Sequence, residues 1–435
     1  MNWLLRHRIQ LYVRNSIWIY PSLAIVAGLI AVSLLSRLER FLGWRINLNP
    51  ETARVVMATV ATSLLTLVVL VTSTMLLAVQ LASAQLTPRI IALVYRNNTR
   101  KLLLSFFVFT FTFSVGVLVR IEDSVPWLSG YLAAYGFLLN LALMLYFIDG
   151  VGKTLRPSSV LRVVGLAGHE VIAGVYPRRL DEQQALSPEP IAALNGKPDR
   201  IIVSTVGGAV LAFDLEGLMS LAEQSDCLIE LIPQVGDFVA AGDPLFQIFE
   251  GGGDLRDEVL RKSVALGQER TLEQDPMFAF RIIVDIASKA LSPAINDPTT
   301  AVLAIDQIHH LLREVGNRNL AEGRERDYAG RLRLIYRTPN WEDFLHLAVT
   351  EIRQYGRDSI QVMRRLRAML ENLIETLPAR RTPLLRRELE LLQQSSRRAF
   401  PDMDDQVLAD IGDRQGMGGV HEEICSPKLQ AMSIR

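Results

Sequence analysis

Four polar side chains recur at seven-residue intervals in an otherwise apolar stretch of the chain: Thr59, Thr66, Ser73 and Gln80, with Thr62 beside them. Seven residues are close to two helical turns, so on a helix these side chains form one stripe. Hydroxyl and carboxamide groups can line a water-filled path, and they can also pack one membrane helix against another. The stripe carries no charge and therefore specifies no ion.

A second group of polar residues surrounds a Ser-Pro-Ala-Ile-Asn-Asp-Pro corner at residues 292–298. Asp297 followed by Pro298 is typical of a helix start, with the carboxylate as cap and proline in the first turn. Asp275 and Pro276 repeat this arrangement one helix earlier. Asn296 and Asp297 also offer oxygens to a ligand or ion. The pattern favours structural capping, with ligand or ion sensing as the alternative.

Ligands for a metal occur close together at Asp306, His309 and His310. Adjacent histidines point about 100° apart on a helix, so only one of them can share a face with Asp306. The two cysteines, Cys227 and Cys425, are too far apart in sequence for a zinc motif. No HExxH, GxSxG, Walker or GxGxxG pattern is present. We therefore predict no metal site, no cofactor and no catalytic residue.

The stripe lies in a stretch of 34 residues without Asp, Glu, Lys or Arg, from Val55 to Pro88. At about 1.5 Å per residue such a helix is roughly 50 Å long, which exceeds the ~30 Å hydrocarbon core of a bilayer. This helix is expected to cross the membrane and continue past the interface, or to cross at a steep tilt.

Three further apolar stretches complete a predicted α-helical membrane domain at residues 17–156, preceded by a basic amphipathic segment at residues 1–16. The four predicted transmembrane helices are approximately residues 17–36, 55–82, 102–120 and 126–148. Four spans place both termini on one side of the membrane. Nine basic residues flank that side and five flank the other, so the positive-inside rule predicts cytoplasmic termini.

The remaining sequence is rich in charge and is predicted to form a cytoplasmic α+β domain. Short apolar runs between Gly-Asp turns predict a small β-barrel-like module within residues 157–250. Helices are predicted across residues 254–413, followed by a flexible tail at 414–435. The 46 basic and 46 acidic residues balance, so no global basic surface indicates a nucleic-acid partner.

Two stretches carry a family resemblance. Gln80, Ser83, Pro88 and Arg89 form a Q-x-x-S-x-x-x-x-P-R element at the end of the second span. Residues 290–301 form an A-L-S-P-A-x-N-D-P-x-T-A element, which includes Ser292, Pro293, Asn296, Asp297 and Pro298. Together they resemble a bacterial family of predicted inner-membrane proteins of unknown function (domain of unknown function 2254). The resemblance implies a multi-span inner-membrane protein with a cytoplasmic C-terminal domain, and it supplies no activity.

The leading functional hypothesis is a homo-oligomeric inner-membrane protein of channel or pore type. Four spans leave one subunit little room to enclose a path, so several copies of the second helix would meet around an axis, with the cytoplasmic modules as a collar. The expected partners are the lipid bilayer, further copies of the chain and an ion or small solute. The alternative is a membrane-anchored sensor or scaffold whose cytoplasmic domain binds a ligand or partner at the Asn296–Asp297 corner.

Overall fold

A computed structural model of the protein describes residues 3–43, 45–46, 49–91, 98–121, 125–154, 156–180, 197–320 and 323–419. The chain forms two compact units. Ile9–Ser159 is the membrane-helix unit, and Met1–Arg8 together with Val160–Arg435 is the sheet-and-helix unit. Each unit is described by itself.

Six helices occupy the described part of the first 175 residues. They are α1 (Trp3–Asn15), α2 (Ile19–Leu42), α3 (Pro50–Gln85), α4 (Asn98–Leu118), α5 (Trp127–Thr154) and α6 (Pro157–Val175). In the membrane-helix unit α4 packs against α2, α3 and α5. One apolar cluster contains Val32, Met57, Phe113 and Val117. Another contains Val71, Phe107, Met144 and Phe147.

Each of the four predicted spans corresponds to an apolar helix, and the ends of these helices differ from the prediction. Asn49 caps α3 by accepting the backbone N–H of Glu51 at 3.0 Å, so the helix starts five residues before the uncharged stretch. The helix α2 continues past residue 36 until Gly43, whose φ of +66° ends it in the left-handed conformation. The sequence did not predict this extension, because the predicted span followed the uncharged stretch and the last turns of α2 contain charged residues.

Five helices in the described residues are long and apolar enough to cross a membrane: α2, α3, α4, α5 and also α6. The prediction did not count α6 as a span, so the number of four spans is not confirmed. Gly, Ala and Val give α6 the apolarity of a span, while Arg162, His169 and Glu170 interrupt it.

A short antiparallel pair, β1 (Arg45–Ile46) with β2 (Val125–Pro126), belongs to the membrane-helix unit. The strands of the sheet-and-helix unit are β3 (Arg200–Val203), β4 (Gly208–Phe213), β5 (Leu228–Leu231), β6 (Phe238–Val239), β7 (Pro244–Phe249), β8 (Val264–Gly267), β9 (Gly323–Arg326) and β10 (Leu332–Tyr336). In the described part of this unit they form two sheets. The first has the strand order β3-β7-β5-β10-β9, in which only β10 and β5 are parallel. The second is an antiparallel sheet of order β6-β4-β8.

The expected β-barrel-like module is corrected by this topology. Within the described residues both sheets are open, because β3 and β9 lie at opposite edges of the first sheet and β6 and β8 at opposite edges of the second. The strand β10 lies far beyond residue 250 in the sequence. It pairs with β5 and so extends the first sheet, which stays open. The predicted Gly-Asp turns are present, since Gly236 and Gly242 both have a φ of +96°, which glycine adopts without strain.

Eight helices follow in the sheet-and-helix unit: α7 (Leu215–Gln224), α8 (Asp257–Arg261), α9 (Pro276–Ala290), α10 (Pro298–Gly316), α11 (Trp341–Tyr355), α12 (Ile360–Thr376), α13 (Thr382–Ala399) and α14 (Met403–Ala409). The helix α10 packs against α9 and α12, and α13 packs against α11 and α12. Apolar residues on the facing sides, such as Ile283, Ile305, Phe344 and Leu366, are fully buried. This core is where burial of apolar area stabilises the unit.

The chain after α14 is held by two charged side chains. Arg364 is buried and donates hydrogen bonds to the carbonyl oxygens of Ile411, Gly418 and Gly419 at 3.1, 2.9 and 2.7 Å. The Asp413 carboxylate accepts the backbone N–H groups of Gln415, Gly416 and Gly418. The first residues of the predicted tail, 414–419, are thus attached to α12, and residues 420–435 lie outside the described residues.

Candidate functional sites

The helix α3 has one packed face. Its buried side chains recur every seven residues at Met57, Leu64, Val71 and Ala78. The first and third of these belong to the two apolar clusters of the membrane-helix unit. The repeat is the same as that of the polar stripe, shifted by two residues, which corresponds to about 200° around a helix. The stripe therefore lies on the opposite side of α3 from its intrachain neighbours.

All five stripe residues, Thr59, Thr62, Thr66, Ser73 and Gln80, are exposed in the single chain. The hydroxyls of Thr59, Thr62 and Thr66 donate to carbonyl oxygens one turn earlier in the same helix, at 2.8, 2.8 and 3.0 Å. Such bonds lower the cost of a hydroxyl in an apolar environment. Within the described residues the stripe lies outside the buried contacts between helices of one chain, so packing against another chain and lining a path both stay predictions.

The first family element ends α3. Gln80 is exposed on the last turns and Ser83 is half-buried. After α3 the Thr87 side chain accepts the backbone N–H of Arg89 at 3.4 Å and begins a 3₁₀ turn, Pro88–Ile90. Leu86 and Ile90 are buried on either side of this turn, while Pro88 and Arg89 are exposed. The element stops a long helix and turns the chain.

The second element forms the corner between α9 and α10. Asp297 caps α10 through both carboxylate oxygens: Oδ1 accepts the Thr300 N–H at 3.0 Å and Oδ2 accepts the Thr300 hydroxyl at 2.5 Å. The Ser292 hydroxyl donates to the Lys289 carbonyl at 2.7 Å. Pro298 occupies the first helical turn. These polar groups are used in local capping.

Part of the same corner remains free to interact. Pro293, Ala294, Ile295 and Asn296 are exposed. Asn296 has a φ of +48°, a left-handed conformation that asparagine tolerates better than most residues. The corner thus presents a short, fixed turn with one exposed carboxamide.

Asp306 and His309 are drawn into a hydrogen-bonded network. Arg365 donates to Asp306 Oδ1 at 2.7 Å and lies 3.3 Å from His309 Nδ1. His309 Nε2 lies 2.9 Å from the Asn372 carboxamide oxygen, and burial lowers the pKa of this histidine. His310 is exposed and points elsewhere. In the described residues no group of three or more His, Cys, Asp or Glu is arranged to hold a metal.

In the described part of the membrane-helix unit two charged side chains are buried, and the sequence did not predict either of them. Glu39 on α2 is 2% exposed and accepts the backbone N–H and the hydroxyl of Ser129 at 2.7 and 2.8 Å, at the start of α5. Lys101 on α4 is 2% exposed, and its Nζ donates to the carbonyl oxygens of Val13 and Arg14 at the end of α1. Both side chains satisfy helix termini. The sequence shows both charges beside an apolar run, without indicating their partners.

Asn140, a strongly polar side chain in the middle of α5, is fully buried. Within the described residues neither its side-chain nitrogen nor its side-chain oxygen has a hydrogen-bond partner. The Ser114 hydroxyl on α4 is also buried without a partner among those residues. Unsatisfied amides in an apolar interior cost free energy.

Comparison with known proteins places the chain in a family. Residues 14–372 match the model of a family described as predicted membrane protein (DUF2254). The chain belongs to this family. The match includes every apolar helix from α2 to α6 and both motif elements, which confirms the resemblance noted in the sequence. The protein is therefore a membrane protein with several apolar helices and a helix-and-sheet region.

Its relatives carry no described activity. An uncharacterized protein of Mycobacterium bovis is 26% identical over 421 residues, which cover 91% of this chain and 79% of the relative. An uncharacterized protein of Mycobacterium tuberculosis matches with the same identity and coverage. No solved structure matches the chain.

Proposed function

We propose that this protein is a homo-oligomeric, channel-like protein of the bacterial inner membrane, in which the α3 stripe lines a path between subunits. The observation that carries the proposal is the position of the stripe, on the face of α3 opposite to Leu64 and Val71. Lipid solvates hydroxyl and carboxamide groups poorly, so a row of them favours contact with water or with another protein surface.

A path lined by the stripe requires several subunits. One chain offers a single copy of this face, and the face is open in that chain. A closed ring of identical subunits around a symmetry axis would bring several copies together. The same arrangement would place the remaining exposed apolar residues of α2 and α5, such as Leu23 and Leu138, toward lipid.

The proposed topology has four spans, α2 to α5, with both termini in the cytoplasm. Contacts of α6 support its exclusion from the membrane. A Cβ atom at Gly168 would lie 2.9 Å from the Ala279 Cβ, and one at Gly165 would lie 2.5 Å from the Gln307 Oε1, so α6 packs closely on α9 and α10. His169 lies 3.9 Å from Glu314. Polar neighbours of this kind suit a helix of the sheet-and-helix unit.

Flux through reconstituted protein tests the proposal. The purified protein is placed in liposomes, and ion and small-solute flux is compared with that of Thr66→Leu/Ser73→Leu. The matched control is Val26→Leu/Ala27→Leu, which enlarges two exposed side chains of α2. We expect flux above that of empty liposomes, lost in the stripe variant and retained in the control.

Two outcomes would refute the channel. One is flux that never exceeds that of empty liposomes across salt, voltage and osmotic stress. The other is flux that the stripe variant retains in full while its reconstitution and oligomeric state match those of the wild type.

A second candidate is a membrane-anchored sensor or scaffold without enzymatic activity. The exposed corner at Ile295 and Asn296 favours it, because a non-glycine residue held at positive φ often marks a functional turn. In that case Asn296→Ala abolishes capture of a ligand or partner while the stripe variant leaves it unchanged. Binding that survives both Asn296→Ala and Asp297→Ala would exclude the corner as the site.

A further inference from the structure

A groove opens on the surface of the membrane-helix unit between α2, α3 and α4. Its volume is about 560 Å³, and its walls include Ile25 of α2, Val68 of α3, and Leu104 and Val108 of α4. Asn15, at the end of α1, lines one end. The groove is mostly apolar and lies on helices of transmembrane length, so a hydrocarbon chain is compatible with its walls.

A positively charged side chain, Arg100, lies on the same face of α4 as the groove residues. Arg100, Leu104 and Val108 are spaced four residues apart on α4, so they lie along one side of the helix. Arg100 is one turn beyond the last groove residue, toward the end at which Lys101 donates to the α1 carbonyls. The end of the groove that Asn15 lines is the same end, and we call it the mouth. Helical spacing places Arg100 one turn beyond Leu104, on the side of this mouth.

This end of the membrane-helix unit has little negative charge of its own. Residues 1–38 and 52–121 contain no Asp or Glu at all. Asp149 of α5 forms an ion pair with Lys153 at 2.5 Å. The Lys101 ammonium is buried against carbonyl oxygens and lies 5.4 Å from the Tyr20 ring centroid. Among the described residues no carboxylate pairs with Arg100, which is half-buried.

We propose that this groove binds an anionic phospholipid, with an acyl chain along Ile25 and Val108 and the headgroup phosphate on Arg100 and Asn15. Arginine forms paired hydrogen bonds with phosphate oxygens, and the asparagine amide adds a donor. A free phosphate would use only the mouth, whereas a lipid uses the mouth and the apolar walls together. The lipid is thus the occupant that matches both observations, and the site is independent of whether the protein conducts.

Thermal unfolding and native mass spectrometry of the full chain in mild detergent test the site. Phosphatidylglycerol is titrated beside phosphatidylcholine, which has a zwitterionic headgroup, and beside glycerol phosphate, which has no acyl chain. We expect phosphatidylglycerol to raise the unfolding midpoint and to remain bound in the mass spectrum. Its apparent affinity should exceed that of phosphatidylcholine about tenfold, since a charged hydrogen bond contributes roughly that much. Glycerol phosphate should have no effect.

Variants separate the headgroup from the chain. Arg100→Gln removes the charge and Ile25→Trp fills the groove from a position that is exposed in the single chain. Each should lower the affinity for phosphatidylglycerol about tenfold, whereas Arg100→Lys should retain most of it. The control Arg40→Gln alters an exposed arginine near the other end of α2 and should bind as the wild type does.

Three results would overturn the proposal. They are equal binding of phosphatidylglycerol to wild type and Arg100→Gln, equal binding of phosphatidylcholine and phosphatidylglycerol to the wild type, and stabilisation by glycerol phosphate alone. The last result would assign the mouth to a free phosphate compound instead of a lipid. Since each variant is first compared with the wild type without added lipid, a folding defect is visible before any binding is measured.

Discussion

The α3 stripe and the α9–α10 corner are two polar motifs of this chain, and their polar groups differ in exposure. At the corner, both oxygens of Asp297 and the hydroxyl of Ser292 bond to neighbouring residues of the same turn and are half-buried. On the stripe, the Thr66 hydroxyl bonds to its own helix, and both Thr66 and Gln80 are exposed. Most polar groups of the corner are thus covered within one chain, whereas those of the stripe form a surface.

The difference shows that polar composition alone does not predict how a motif is used. The stripe consists of Thr, Ser and Gln, mostly at seven-residue intervals, and the corner contributes Ser, Asn and Asp between prolines. Hydroxyls of both motifs bond to nearby residues of their own segment, so local bonding does not separate them. Exposure does: Ser292 and Asp297 are half-buried, whereas all five stripe residues are exposed in the single chain.

The largest effect is expected at Asp275, the cap of the other Asp-Pro pair, at the start of α9. Asp275 caps α9 by accepting the Phe278 N–H at 3.0 Å, but it is only 2% exposed and its Oδ2 has no hydrogen bond among the described residues. Burial raises the pKa of Asp275 to about 6, against the opposing effect of Arg270, 3.8 Å away. The folded state therefore holds the proton more tightly than the unfolded chain does.

The sign of the pH dependence follows from that shift. The stabilisation is complete below the unfolded pKa of 3.8 and is lost as pH rises through about 6. Asp275→Asn keeps the capping oxygen and removes the charge, so at pH 7.5 it should stabilise the sheet-and-helix unit by on the order of 2 kcal/mol. Thermal midpoints of wild type and variant measured from pH 4 to pH 7.5 should diverge as pH rises. Parallel curves would contradict the buried-cap interpretation.

A smaller effect is expected at the other cap. Asp297→Ala removes both bonds to Thr300 and should destabilise the unit by about 1 kcal/mol. Asp297→Asn, which keeps one acceptor, should cost less than Asp297→Ala. Chemical denaturation gives the free energy of unfolding of both variants. Native-state hydrogen exchange gives the local stability of the first turn of α10. If Asp297→Ala left the stability and the exchange of that turn unchanged, capping would not explain why the corner has an aspartate there.

Much of the fold could be read from local sequence, because apolar runs and Asp-Pro starts are local signals. The four predicted spans and the helices on either side of the corner are of this kind. The open sheet could not be predicted, because β10 pairs with β5 about 100 residues earlier in the chain. The partners of Glu39 and Lys101 were hidden for the same reason, since each bonds to a helix about 90 residues away in sequence.

The candidate site was only partly predictable. Seven-residue spacing predicts that Thr59, Thr66, Ser73 and Gln80 share one face, since helical geometry alone determines that. Which face of α3 packs on α4 and α5 depends on the fit of side chains such as Leu64 against other helices. Spacing contains no information about that fit, so packing and exposure of the stripe remained alternatives.

The smallest effect is expected on the stripe itself, and it decides whether the comparison with the corner is sound. Thr62→Val with Thr66→Val removes two exposed hydroxyls whose bonds lie within their own helix, so the thermal midpoint of a monomer in detergent should change by an equivalent of less than about 0.5 kcal/mol. Leu64→Ala, between them on the packed face, should instead cost roughly 2 to 5 kcal/mol because it leaves a cavity. Equal losses from the two variants would mean that the stripe packs inside one chain. A double valine variant with an unchanged midpoint and an altered subunit association would mean that these hydroxyls act between chains.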